Sequence, residues 1–172
     1  MEKELPVRKK IRLQGYDYSQ AGYYHITICV QNGHEMLGTV VVGAATCRPF
    51  VQLSDIGQTA NDSINNISKI YPHISVDKYV IMPNHIHIIL RVADAESGRV
   101  SNLSGRQIAA PTTVQTVIGN MKRYVSMQIG FSIWQKSFHE EIIRNEKAYQ
   151  NIWKYIDNNP AKWAEDDYFV KK

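Results

Sequence analysis

Cysteine is scarce in this chain of 172 residues: Cys29 and Cys47 are the two present. Their placement resembles neither a disulfide framework nor a zinc cluster, and Cys29 lies in an apolar run suited to a buried free thiol. A reducing cytoplasm is therefore the expected compartment. No apolar run approaches the ~18–20 residues that a membrane helix requires. The opening MEKELPVRKK has basic residues but no apolar stretch behind them, so it does not read as a signal peptide. Long blocks of like charge are missing, which argues against an extended disordered tail, and no repeat occurs at solenoid spacing.

What is present fits one domain spanning residues 1–172. Hydrophobic residues make up 44% of the chain, enough for a core, and charged residues only 21%. The formal net charge is +4, a lean that permits a nucleic-acid partner without requiring one. Arg8, Lys9, Lys10 and Arg12 crowd an N-terminal arm over residues 1–20, and Lys122 with Arg123 lie together on a predicted helix. Solubilising charge would explain either group equally well.

The run YYHITICV from Tyr23 to Val30 reads as a first strand, followed by turn residues Gln31-Asn32-Gly33. Further strands are expected over Leu37–Gly43 and Val51–Leu53. The segment Ser54–Ile70 carries Ile56, Ile64, Ile67 and Ile70 on one helix face, with Ser54 as N-cap. Ile74–Met82 and His85–Val92 then form two antiparallel strands around Pro83-Asn84, the second apolar enough to be central. Residues 93–111 read as a flexible loop. A helix is predicted over Thr112–Gln128, a short strand over Ser137–Arg144, and a last helix over Glu146–Asn159, stopped by Pro160. This order describes an α+β sandwich with helices packed on an antiparallel sheet.

Residues two apart on a strand share a face, so His85 and His87 project side by side, opposite Ile86 and Ile88. Six histidines would yield only about 0.2 such pairs per chain by chance. Two imidazoles on one buried strand need a shared partner, and a divalent cation is one. On the last helix, Tyr149, Ile152, Trp153 and Ile156 form the apolar stripe. Tyr155 lies about 110° from its centre, outside what packing explains. Asn159, one turn later, shares that edge. If the edge faces the histidines, Asn159 completes a three-ligand site; otherwise the two are a boundary tyrosine and a helix-terminal asparagine. His139, in SFHEEIIR, is a further candidate ligand or a structural histidine.

The run YVIMPNHIHIIL resembles the His-hydrophobic-His motif of the HUH single-tyrosine transposases. The close, SFHEEIIRNEKAYQNIWKYIDNNPAKW, and the early RLQGYDYSQAGYYHITICV are similar to the REP-associated tyrosine transposases within that group. Together they cover most of the chain outside 93–111. The resemblance implies a ferredoxin-like antiparallel sheet with helices packed on one face. It also implies cleavage and rejoining of single-stranded or hairpin DNA by a monomer or homodimer, with Mg²⁺ or Mn²⁺. By position, His85 and His87 match the metal pair and Tyr155 the nucleophile, while Asn159 stands where other members carry glutamine. Candidate DNA contacts are Lys9, Lys10, Arg12, Tyr16, Tyr18, Lys122 and Arg123. Competing readings are a DNA-binding module of the same fold without catalysis, a hydrolase using activated water, and a replication initiator or relaxase.

Overall fold

The computed structural model describes residues 17–42, 48–94 and 112–169. Its frame is a four-stranded, wholly antiparallel sheet of strands β1 (Gly22–Cys29), β4 (Ile74–Ile81), β5 (His85–Val92) and β6 (His139–Ile143). The spatial order is β4-β5-β1-β6, so β5 is central, as its apolar sequence predicts. Four strands in this order, with the connections through helices, reproduce the ferredoxin-like arrangement. A separate hairpin of β2 (Gly38–Val41) and β3 (Phe50–Leu53) precedes the first helix.

One face of the sheet is the main core. Tyr24, Ile26 and Ile28 of β1 meet Ile86, Ile88 and Leu90 of β5, all fully buried. Burying each such side chain contributes ~1.5–3 kcal/mol, so this layer dominates stability. Helices α1 (Asp55–Asn65), α2 (Ile67–Ile70) and α3 (Val114–Ile129) cover it with Ala60, Ile64, Ile67, Val117, Ile118 and Val125. The single helix expected over 54–70 is broken at Asn66, which caps α1 and opens α2. Ser54 caps α1 as expected, accepting from the Gly57 N–H at 3.0 Å while its hydroxyl donates to Met36 O. Gly57 packs so tightly that a Cβ there would overlap the Leu37 carbonyl oxygen. The α3 helix ends at Gly130 in the left-handed region, φ +84°.

A helical layer on one face accounts for α1, α2 and α3, whereas α4 (Glu146–Asn158) takes the opposite face. Its predicted stripe, Tyr149, Ile152, Trp153 and Ile156, packs on Ile89, Ile143, Tyr23 and Val80. The physical reason is parity: every second residue of β1, β5 and β6 turns this way, and Ile89 and Ile143 supply an apolar patch there. Only Ile156 of α4 is fully buried, so polar contacts complete the docking. Tyr149 Oη donates to Asp77 Oδ2 at 3.1 Å, Lys78 Nζ reaches Asp157 Oδ1 at 2.7 Å, and Arg48 reaches Asp157 Oδ2 at 3.1 Å. Beyond α4, residues Asn159–Glu165 form a 3-10 turn that brings the chain back toward β5.

Candidate metal and tyrosine site

Strand parity places Cys29, Thr27 and His25 of β1 beside His85 and His87 of β5 on the α4 side of the sheet. Both β5 histidines are almost fully buried, at 0% and 2% exposure. Asn84 fixes the state of the first. Its amide nitrogen donates to the carbonyls of Gly33 and Tyr168, leaving Oδ1 to accept from His85 Nδ1 at 2.9 Å. The proton is thus on Nδ1, and the lone pair of Nε2 points inward. Among the described residues, His85 Nε2 and Asn159 Oδ1 are the two buried side-chain polar atoms without a hydrogen-bond partner. Both are electron-pair donors, and both belong to this site. Unpaired buried acceptors cost about 1–3 kcal/mol each, a loss that a shared cation removes.

His87 is linked on both sides. Its Nδ1 lies 3.0 Å from Thr27 Oγ1 and 3.2 Å from His25 Nε2, and its Nε2 lies 3.2 Å from the hydroxyl of Tyr155. Asp166, from the returning segment, accepts from Tyr155 Oη at 3.4 Å and from Asn159 Nδ2 at 3.0 Å. One ligand atom each from His85, His87 and Asp166 falls within 4.8 Å of the others, a spacing that could hold a metal ion. The histidine, carboxylate and amide-oxygen set suits a divalent cation. Aromatic rings close the outer side: Tyr168 stands 4.6 Å from the His85 ring and Trp163 6.0 Å.

Burial governs the electrostatics. Desolvation pushes His85 down to about 4 and His87 to about 2, the latter helped by the neighbouring imidazoles, so both rings are neutral near pH 7. Burial, reinforced by the Asp166 carboxylate, pushes the Tyr155 phenol up to about 12. A bound divalent charge acts on that phenol in the opposite direction. Tyr155 is nonetheless 44% exposed. Its open side faces a groove of about 480 Å³ lined by Asn151, Lys154, Asn158, Lys162 and Glu165 among others.

The structure therefore brings together four residues singled out from the sequence: His85, His87, Tyr155 and Asn159. Others it places elsewhere. Tyr18 is not a surface ring for stacking bases; it is 8% exposed and packs against Tyr24. Lys122 is not a free cation, since its Nζ donates to the backbone carbonyls of Gln135 and Ser137. Arg123 is exposed on α3, across the sheet from the imidazoles. His139 is exposed on β6 and outside the group that could hold a metal. Lys9, Lys10, Arg12 and Tyr16 lie outside the described residues, as do Cys47 and residues 95–111. Asp166 and Asn84 were missed from sequence. Asn84 adjoins the histidine motif, so adjacency was its only signal; Asp166 sits in a segment without periodicity and had none.

No family model matches the chain. An uncharacterised protein of Haemophilus influenzae is 32% identical over 174 residues, which are 95% of this chain and 93% of that protein. A second protein of that organism, named for the REP-associated tyrosine transposases, is 25% identical over 152 residues, 85% of this chain and 74% of its own length. A solved structure of a REP-associated tyrosine transposase bound to a REP hairpin aligns with a TM-score of 0.62 at 20% identity, covering 88% of this chain and 74% of that one. At that identity the likeness is one of fold. Among the described residues, no helix is long and apolar enough to cross a membrane.

Proposed function

Since this chain is similar to the REP-associated tyrosine transposases in sequence and in fold, we propose that it belongs with them and that it cleaves and rejoins single-stranded DNA at hairpin-forming repeats, with Tyr155 as nucleophile. The observation that carries this reading is the contact of the Tyr155 hydroxyl with His87 Nε2, 3.2 Å apart, beside the unpaired His85 Nε2 and Asn159 Oδ1. A packing role explains neither the exposed phenol nor the two orphaned acceptors.

His85, His87 and Asp166 would hold a divalent cation, Mg²⁺ or Mn²⁺, with Asn159 Oδ1 as a further ligand. Such an ion supplies Lewis-acid stabilisation of phosphate charge when bound. Everything else is done by the chain. The inner side of the Tyr155 ring is packed on histidines, so the phosphodiester enters by the groove on the open side. There Lys154 and Lys162 offset backbone charge, and Asn151 presents an amide. The Tyr155 oxygen attacks phosphorus and the bond to the 3′-oxygen breaks, leaving a 5′-phosphotyrosine and a free 3′-hydroxyl. With His87 Nε2 and one carboxylate oxygen of Asp166 turned to the cation, the other Asp166 oxygen would take the phenol proton, across the contact that Tyr155 already makes with this carboxylate. The covalent link conserves the bond, so attack by a 3′-hydroxyl reverses the step and rejoins DNA.

The test is incubation of the purified chain with labelled single-stranded hairpin DNA and Mg²⁺ or Mn²⁺, resolved on a denaturing gel. The expected product is DNA linked to protein, absent with Tyr155→Phe. Free cleaved fragments with no protein-linked species would instead indicate hydrolysis by activated water, and an adduct in Tyr155→Phe would refute the nucleophile.

A further inference from the structure

His25 is a third histidine of the site face, and nothing so far gives it a task. It is 9% exposed, on β1, one strand over from His87. Its Nε2 lies 3.2 Å from His87 Nδ1, with the rings stacked at 5.2 Å and 30°. Its other nitrogen, Nδ1, lies 3.8 Å from Glu141 Oε2 on β6. The three residues lie on three adjacent strands: Glu141 pairs with His25, and His25 stands two residues along β1, on the same face, from Thr27, the register partner of His87.

That order has a chemical direction. An imidazole that donates its Nε2 lone pair to a cation carries its proton on Nδ1, and that proton needs an acceptor. Two acceptors are within reach of His87 Nδ1: the Thr27 hydroxyl at 3.0 Å and His25 Nε2 at 3.2 Å. The hydroxyl is a rotor that can donate as readily as it accepts. His25 differs, because a carboxylate stands at its far nitrogen and favours the proton there, leaving Nε2 as acceptor. We infer that His25 is a positioning residue for His87: its Nε2 accepts the His87 Nδ1 proton, which fixes the His87 tautomer and ring so that its Nε2 lone pair points into the site. The inference rests on the reading of His87 as a cation ligand.

The experiment is Mn²⁺ titration of the full chain followed by electron paramagnetic resonance, without DNA, on wild type, His25→Leu, His25→Gln and Thr27→Val. Leucine keeps much of the bulk but accepts nothing, whereas the glutamine oxygen can reach the place of Nε2. His25→Leu is expected to weaken Mn²⁺ binding about ten- to a hundredfold, and His25→Gln to recover most of that loss. Thermal melting checks the fold of each variant; should His25→Leu not fold, His25→Met makes the same comparison with His25→Gln. Unchanged affinity in the leucine or methionine variant, with Thr27→Val carrying the whole loss, would overturn the inference. Equal weakening by glutamine and leucine would also overturn it, since the ring would then only fill space. A wild type that binds no Mn²⁺ would sink the cation reading itself, and this inference with it.

Discussion

Single residues of the site answer to two rules that sequence alone supplies. Strand parity put His85 and His87 on one face, and helix periodicity set Tyr155 and Asn159 apart from the Tyr149 stripe; all four meet in the structure. Asp166 was illegible because it follows a 3-10 turn whose backbone has no repeat to read. Charge was also a poor guide, as Lys122 spends its ammonium on backbone carbonyls. The buried imidazoles make a pH prediction. Their folded pKa values, about 4 for His85 and about 2 for His87, lie below the ordinary 6.5. Protons therefore bind the unfolded chain more readily, and the stability from neutral burial is full above pH 6.5. It should decline as pH falls from 6.5 through about 4, by on the order of 2–3 kcal/mol for His85. Thermal melts across that range check this; a His85→Gln variant should show a flatter decline, and an equally steep one would argue against the assignment.

Elements were more legible than their contacts. The places of the strands along the chain, the two long helices and the Ser54 cap follow from period and punctuation, but the break at Asn66 does not, because the apolar face continues through Ile67 and Ile70. The side of the sheet chosen by α4 was equally hidden: it depends on Ile89 and Ile143 offering an apolar patch across three strands. At the α1 start, close approach decides. Gly57→Ala forces a methyl onto the Leu37 carbonyl oxygen, so the helix and the β2–β3 hairpin must part. A loss of about 1–3 kcal/mol is expected in denaturant unfolding. A neutral result would mean the hairpin yields freely. The change is remote from Tyr155, so adduct formation at saturating DNA should survive in whatever fraction stays folded.

Taken whole, the molecule has two unlike sides. The side under α1 and α3 holds the main core, and the side under α4 holds the histidines, the phenol and the groove. On the proposed reading, a single strand of DNA laid along that groove would meet Lys154 and Lys162, for which no acidic partner is seen among the described residues. Replacing both with glutamine should weaken binding and reduce the slope of log affinity against log salt by about 1.4, two phosphate contacts at ~0.7 each. Fluorescence anisotropy across a salt series measures it, with Arg123→Gln, on the opposite side, as the variant expected to leave the slope alone. An unaltered slope in the double variant would mean the strand takes another path.

Strand β5 belongs to both sides at once, and that has a consequence for how the gene can vary. Codons 86, 88 and 90 answer to the core, while codons 85 and 87, on the proposed reading, would answer to chemistry. Random mutagenesis along residues 85–88 should therefore sort into two interleaved classes, one lost from the soluble fraction and one soluble but inert.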